Sequence, residues 1–251
     1  MTRSPAGCGC PDNKPVYVGR RYLSAGSIHN PLTERTLSFF LHKSNFLIRT
    51  VYPEFWWKID DQASPTIYLT FDDGPIPDVT TFVLEQLDKF AAQATFFCIG
   101  DNVRKHTDVL FQVLEAGHMV GNHTYNHLNG WKTDDLAYLE NIQKCQQQLG
   151  VETALFRPPY GRIRKTQAAQ VIEKYSIVMW DVLTGDFDRK LPADVCLRKT
   201  IQYTEPGSIV VFHDSLKAWP TMRYVLPRML AHFAERGYSF LAVPQPVYAG
   251  Y

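Results

Sequence analysis

The chain has 251 residues, 45% of them hydrophobic, with 26 Lys and Arg against 25 Asp and Glu and a formal net charge of +1. That length and apolar content suit one large domain, and α/β barrels routinely use it. The balanced charge, with no run of Lys or Arg, gives no footing to a polyanion-binding role, so no nucleic-acid partner is expected.

Residues 1–35 carry Gly, Pro and charge without periodicity, and 1–46 is expected to be an irregular N-terminal extension to a 47–251 domain. No secretory signal is visible: Arg3 is positive, but residues 4–20 lack an apolar core. Cys8 and Cys10 form a C-x-C with only His29 and His42 near in sequence, which does not match zinc-ribbon spacing. The five cysteines are scattered and make no disulfide framework; Cys98 reads as a buried small hydrophobe, and Cys145 and Cys196 fall in predicted helices. The apolar stretch 37–48 is broken by His42, Lys43 and Asn45 and is too short to span a bilayer, so no transmembrane segment is expected. The aromatic stretch 52–57 is expected to pack over an open seam of the domain rather than anchor to a membrane surface.

From residue 66 the pattern becomes regular. Strands are predicted at 66–71, 94–99, 118–122, 155–157, 176–181, 207–213 and 238–243. Between them lie predicted helices at 79–90, 103–116, 133–149, 166–175, 193–203 and 223–236, with Gly117 and Gly150 placed as helix stops. Such alternation implies parallel strands with right-handed crossovers, an α/β fold. In α/β barrels chemistry gathers at the carboxyl ends of the strands. Here Asp72 and Asp73 follow the first strand, His123 follows the third, Arg157 ends the fourth, Asp186 follows the fifth and His213 closes the sixth.

Asp72-Asp73-Gly74-Pro75 has turn composition. Adjacent carboxylates repel, however, and a cation beside them relieves the cost. His123 and His127 are four apart, which on a helix would bring them to one face. Two neutral imidazoles and one carboxylate leave zinc an open position for water; cobalt, nickel or iron accept the same donors. Arg157 precedes a Pro-Pro break and is expected to pair with Asp72, keeping it ionised. His213 ends an apolar strand, where it can protonate a leaving group. Asp186, Asp181 and Asp188 are rival candidates to orient its second nitrogen, and spacing does not choose among them.

Five segments in order resemble the polysaccharide deacetylases, carbohydrate esterase family 4: Thr70-Phe71-Asp72-Asp73-Gly74-Pro75, His123-Thr124-Tyr125-Asn126-His127, Arg157-Pro158-Pro159-Tyr160, Asp186-Phe187 and Val211-Phe212-His213. The resemblance covers roughly residues 64–244. It implies a distorted, incomplete (β/α) barrel of about seven parallel strands and one divalent metal. It also implies removal of N-acetyl groups from N-acetylglucosamine-containing glycans. Carried onto this chain, Asp73, His123 and His127 would be the metal ligands, Asp72 the base and His213 the acid. Arg157 would orient Asp72, Asp186 would tune His213, and the backbone N–H of Tyr160 would hold the oxyanion. Phe187 stands where the family has Trp and Val211 where it has Leu, both against the acetyl methyl group. Asn126, Asn129, Trp131 and Trp219 are candidate sugar contacts. An O-acetyl xylan esterase or a non-catalytic glycan-binding protein would use the same site. The family implies the cell envelope or secretion, which the visible start does not signal, so a cytoplasmic location stays open. The oligomeric state is not legible.

Overall fold

The computed structural model describes residues 40–60 and 65–246. The central strand is β1, Thr66–Asp72, buried along its whole length. Side chains alternate across a strand. Ile67, Leu69 and Phe71 therefore enter the main core beneath the helices, while Tyr68 lines a smaller core on the other, inner face. Thr70 and Asp72 share that inner face. After β1 come α2 (Val79–Asp88), β2 (Thr95–Cys98), α3 (Gly100–Lys105), α4 (Thr107–Glu115) and β3 (Met119–Asn122). Then follow α5 (Asp135–Leu149), β4 (Leu155–Phe156), α6 (Lys165–Val171), β5 (Ser176–Ile177) and β6 (Val182–Leu183). The last elements are α7 (Ala193–Tyr203), β7 (Ile209–His213), α8 (Trp219–Ala234) and β8 (Ser239–Leu241). The sheet order is β5-β4-β3-β2-β1-β7-β6, with β8 beside the first residues of β1 and all these pairings parallel. This is the expected incomplete (β/α) barrel; β5 and β6 are its two edges.

Local chemistry explains the elements. Asp134 accepts a hydrogen bond from the Ala137 N–H at the start of α5, and Gly150 closes that helix at φ 67°. The stretch expected as one helix over 103–116 breaks at His106 (φ −135°, ψ 50°). Its two halves pack in different directions, α3 on α5 and α4 on α2 and β3. The strand expected over 176–181 ends at Ile177 as β5, and a separate strand, β6, begins at Val182, beyond the expected range. Between them the Val178 and Met179 carbonyls accept from the Arg157 guanidinium. α8 begins at Trp219, before the expected 223, because Pro220 fits a first helical turn.

Residues 40–58 run along the sheet edges and include a short helix, α1 (Phe46–Val51). Lys43 bridges Val182 in antiparallel sense, and the Leu183 N–H donates to the His42 carbonyl at 2.9 Å. Farther on, the Trp56 N–H donates to Ile177 O at 2.9 Å and Met179 N–H to Trp56 O at 2.8 Å. Phe55 and Trp57 are buried with Tyr138, Ile142, Phe156 and Met179. The aromatic stretch therefore packs, as expected. Residues 40–46, read from sequence with the extension, already pair with the barrel. Cys8, Cys10 and His29 lie outside the described residues. Cys98, Cys145 and Cys196 are buried free thiols. Among the described residues no helix is long and apolar enough to cross a membrane.

Candidate active site

Strand register assembles the site. Asp72, the last residue of β1, is the register partner of His213, the last residue of β7. Asn122 of β3 is partnered with Phe156 of β4, which sets the next residues, His123 and Arg157, side by side. The Arg157 N–H donates to Asn122 O at 3.0 Å, and the His123 N–H donates to Cys98 O at 3.1 Å. Arg157 thus sits just past its strand, one residue beyond the expectation.

Asp73, His123 and His127 each offer a donor atom within 4.8 Å of the others, the one such group found among the described residues. Asp73 Oδ1 lies 3.8 Å from His123 Nε2 and 3.3 Å from His127 Nε2. The His pair is not helical: Thr124 and His127 take φ 63° and 55° in a loop. His123 Nδ1 lies 2.8 Å from the Arg157 carbonyl, which can only accept. The proton is therefore on Nδ1, and the Nε2 lone pair is left for a ligand. Burial lowers the His123 pKa to about 4, against the pull of the Asp72 and Asp73 carboxylates, so the ring is neutral. His127 Nδ1 shares a 3.2 Å hydrogen bond with Tyr160 Oη, again on the nitrogen away from Asp73. Burial alone would raise the Asp73 pKa, but the His127 hydrogen bond and the neighbouring imidazoles hold it well below the usual range. One ionised carboxylate and two imidazoles with their outer nitrogens engaged fit a divalent transition metal.

Asp72 is buried and is engaged by Arg157 instead of joining this group. Arg157 Nη1 donates to its Oδ1 at 2.7 Å and to Thr70 Oγ1 at 2.8 Å. Arg157 Nε donates to Val178 O at 2.9 Å and Nη2 to Met179 O at 2.8 Å. The guanidinium is fully buried over the Phe97 ring, 4.2 Å from its centroid. A buried charge is tolerated where its donors are satisfied and its partner is aimed. Three of these bonds fix the guanidinium, and the fourth, from Nη1, aims the Asp72 carboxylate.

His213 is gripped by Asp186, whose Oδ2 accepts from the His213 N–H at 2.8 Å and whose Oδ1 lies 2.8 Å from Nδ1. Burial would lower this imidazole's pKa, but the Asp186 charge and hydrogen bond raise it to about 9. Among the rival carboxylates, Asp181 is consumed at the seam by Lys43, Arg49 and Ser208, and Asp188 Oδ1 accepts from the Lys190 N–H. Phe187 stands edge-on to His213 with ring centroids 5.0 Å apart. Val211 is buried two residues before His213, on the same inner face. Tyr160 takes φ 61° in the 3-10 turn Pro159–Gly161. The Asp72–Arg157 pair, the His213–Asp186 pair and the Asp73, His123 and His127 group therefore lie together at the strand ends.

A family model described as polysaccharide deacetylase matches residues 60–180. A peptidoglycan-N-acetylglucosamine deacetylase of Bacillus cereus is 34% identical over 154 residues, 59% of this chain and 56% of that protein. A second Bacillus cereus protein of the same name is 31% identical over 194 residues, 75% of this chain and 91% of its own length. The crystal structure of the Bc1960 peptidoglycan N-acetylglucosamine deacetylase, in complex with 4-naphthalen-1-yl-N-oxidanyl-benzamide, matches with a TM-score of 0.73 at 27% identity. That match covers 80% of this chain and 95% of the other. The chain belongs to the polysaccharide deacetylase family. It spans little more than half, 56%, of the first of these relatives.

The family motifs leave several supports of the site unmarked. Asp214 is buried; its Oδ1 accepts from the Gly74 N–H at 2.9 Å and its Oδ2 from Thr80 Oγ1 at 2.6 Å. A Cβ on Gly74 would sit 2.0 Å from Asp214 Oδ2, so glycine is required there. Asn102 Nδ2 donates to Asp73 O at 2.7 Å. Thr70, by contrast, opens the first motif, two residues before Asp72 on one strand; Asp214, Asn102 and Thr80 lie outside the motifs, and Asn102 and Thr80 carry no local signal. Of the candidate sugar contacts, Asn129 caps the turn at Trp131 and Asn126 pairs with Asn141. Trp219 packs edge-on against Phe82 at 5.0 Å, whereas the Trp131 ring is exposed.

Proposed function

We propose that this chain hydrolyses the N-acetyl group of N-acetylglucosamine units in a peptidoglycan- or chitin-like glycan, releasing acetate and leaving an amine. The observation that carries the reading is the separation of two adjacent carboxylates: Asp73 stands with His123 and His127, while Asp72 is held by Arg157 beside the His213–Asp186 pair. That two relatives are named peptidoglycan-N-acetylglucosamine deacetylases supports the glycan class, and a peptidoglycan substrate would be met in the cell envelope. A divalent cation on Asp73, His123 and His127, zinc first by ligand type, would supply the Lewis acidity that polarises the acetamide carbonyl and acidifies a water.

The chain's own groups then move the protons. Asp72, aimed by Arg157, takes one from the attacking water, whose oxygen bonds to the carbonyl carbon. The Tyr160 N–H meets the charge that develops on the carbonyl oxygen; losing such a donor typically costs roughly 3–4 kcal/mol. His213 Nε2 gives its proton to the amide nitrogen as the C–N bond breaks, because that nitrogen leaves poorly as an anion. Asp72 returns its proton to solvent, and His213 is reprotonated from it. Phe187 and Val211 offer an apolar wall to the methyl group. A His213 protonated at neutral pH suits an amide, whose leaving group needs a proton more than an ester's does.

The test compares acetate release from N-acetylated chito-oligomers, peptidoglycan fragments and acetyl-xylan. Release from the N-acetylated substrates is expected, abolished by chelation and restored by a divalent ion. Release from acetyl-xylan alone would substitute an esterase, and glycan binding without acetate release would overturn the enzymatic reading.

A further inference from the structure

We propose that Phe40 is a positioning residue for the acyl pocket: it backs the Gly185-Asp186-Phe187 loop and so sets how large an acyl group the site accepts. The inference rests on the deacetylase reading above, in which Phe187 walls the methyl group. The family match begins at residue 60, so Phe40 comes from a segment outside it.

Three observations place Phe40 there. Its ring centroid lies 5.3 Å from that of Phe187, which in turn stands 5.0 Å from His213. Gly185 takes φ 80°, and a Cβ on it would lie 2.3 Å from Phe40 Cζ and 2.7 Å from Cε2. The tip of the Phe40 ring thus fills the space a side chain at 185 would need. Pairing of the next residues delivers the ring to this spot: the Leu183 N–H donates to His42 O, Lys43 bridges Val182, and the His42 side chain adds Nδ1 at 3.1 Å from Leu183 O. Phe40 brings no polar atom, so its contribution is shape. Lys217 Nζ lies 5.5 Å from the Phe187 ring centroid and cannot replace a packed ring behind it. Shortening Phe40 leaves a void into which Phe187 can retreat, and the pocket deepens by about the size of a methylene.

The experiment uses the full, metal-loaded chain and compares kcat/KM on N-acetyl and N-propionyl chito-oligomers for wild type, Phe40→Leu and Phe40→Ala. One methylene in an apolar pocket is typically worth roughly 10–200-fold in discrimination. The propionyl-to-acetyl ratio is expected to rise roughly three- to tenfold in Phe40→Ala and less in Phe40→Leu. A purely structural role would lower both activities and the Tm together and leave the ratio unmoved; that outcome overturns the proposal. Should Phe40→Ala not fold, the Leu variant carries the same comparison. If the wild type releases neither acyl product, the deacetylase reading has failed. The His213 Hε1 NMR resonance then decides alone for Phe40. A change in that resonance in the Leu variant supports the loop contact, and an unmoved resonance in folded protein overturns it.

Discussion

Replacing Asp186 by Asn should shift the protonation of His213 by two pH units or more. The buried Asp186 carboxylate holds both the backbone N–H and Nδ1 of His213 at 2.8 Å. Burial pulls the imidazole pKa down; Asp186, with smaller help from Asp73 and Asp72, overcomes this and raises it from 6.5 to about 9. The imidazolium is thereby favoured by roughly 3 kcal/mol. Asn keeps the shape but removes the charge, so burial loses its main opponent and the pKa falls to its ordinary value or lower. A divalent cation on Asp73 more than cancels that residue's help and itself disfavours the imidazolium, which leaves Asp186 the dominant support. At about pH 7.5 nearly all of the wild-type His213 is protonated, against about a tenth in the variant. The loss in kcat/KM is therefore about tenfold at that pH and small near pH 6, beyond any effect of misorientation. The assay is acetate release against pH for both proteins at matched metal content, with the alkaline limb read as the acid's titration. An alkaline limb at the same pH in both would refute His213 as the acid tuned by Asp186.

The same pair has a stability signature in metal-free protein. Because the folded pKa of His213 lies above the ordinary 6.5, the stabilisation is fully present below that pH and is lost as pH rises through about 9. The Tm gap between wild type and Asp186→Asn should be largest at acid pH and should close through that window in a thermal melt. Asp72→Asn should retain about one equivalent of bound metal yet lose acetate release, whereas His123→Ala should lose both by metal analysis and assay. Asn is chosen at 72 because Ala would strand the buried Arg157, at a cost of about 3–5 kcal/mol. Asp214→Ala leaves the Gly74 N–H and the Thr80 hydroxyl without their acceptor, about 1–3 kcal/mol each. Its Tm should fall by roughly 5–15 °C, with metal affinity weakened, while Asp214→Asn, which retains an acceptor oxygen, should lose less.

The strand–helix alternation, the parallel barrel and the clustering of polar residues at strand ends were legible in this sequence, because period-2 and period-3.6 apolar patterns and turn residues are local properties. The donor types were legible for the same reason: Asp73, His123 and His127 each follow a strand, and parallel strands bring their ends to one mouth. Tertiary structure alone decided which carboxylate serves which group. Asp181, Asp186 and Asp188 are equally plausible by spacing, yet Asp181 is taken by Lys43 and Arg49 from a segment more than a hundred residues away, and only Asp186 reaches His213. The early end of the fifth strand was equally invisible, since just past it the Val178 and Met179 carbonyls are taken by the guanidinium of Arg157, a residue of another strand end. So was the placement of Phe40, because the approach of an N-terminal ring to a glycine at 185 leaves no mark in the residues on either side of it.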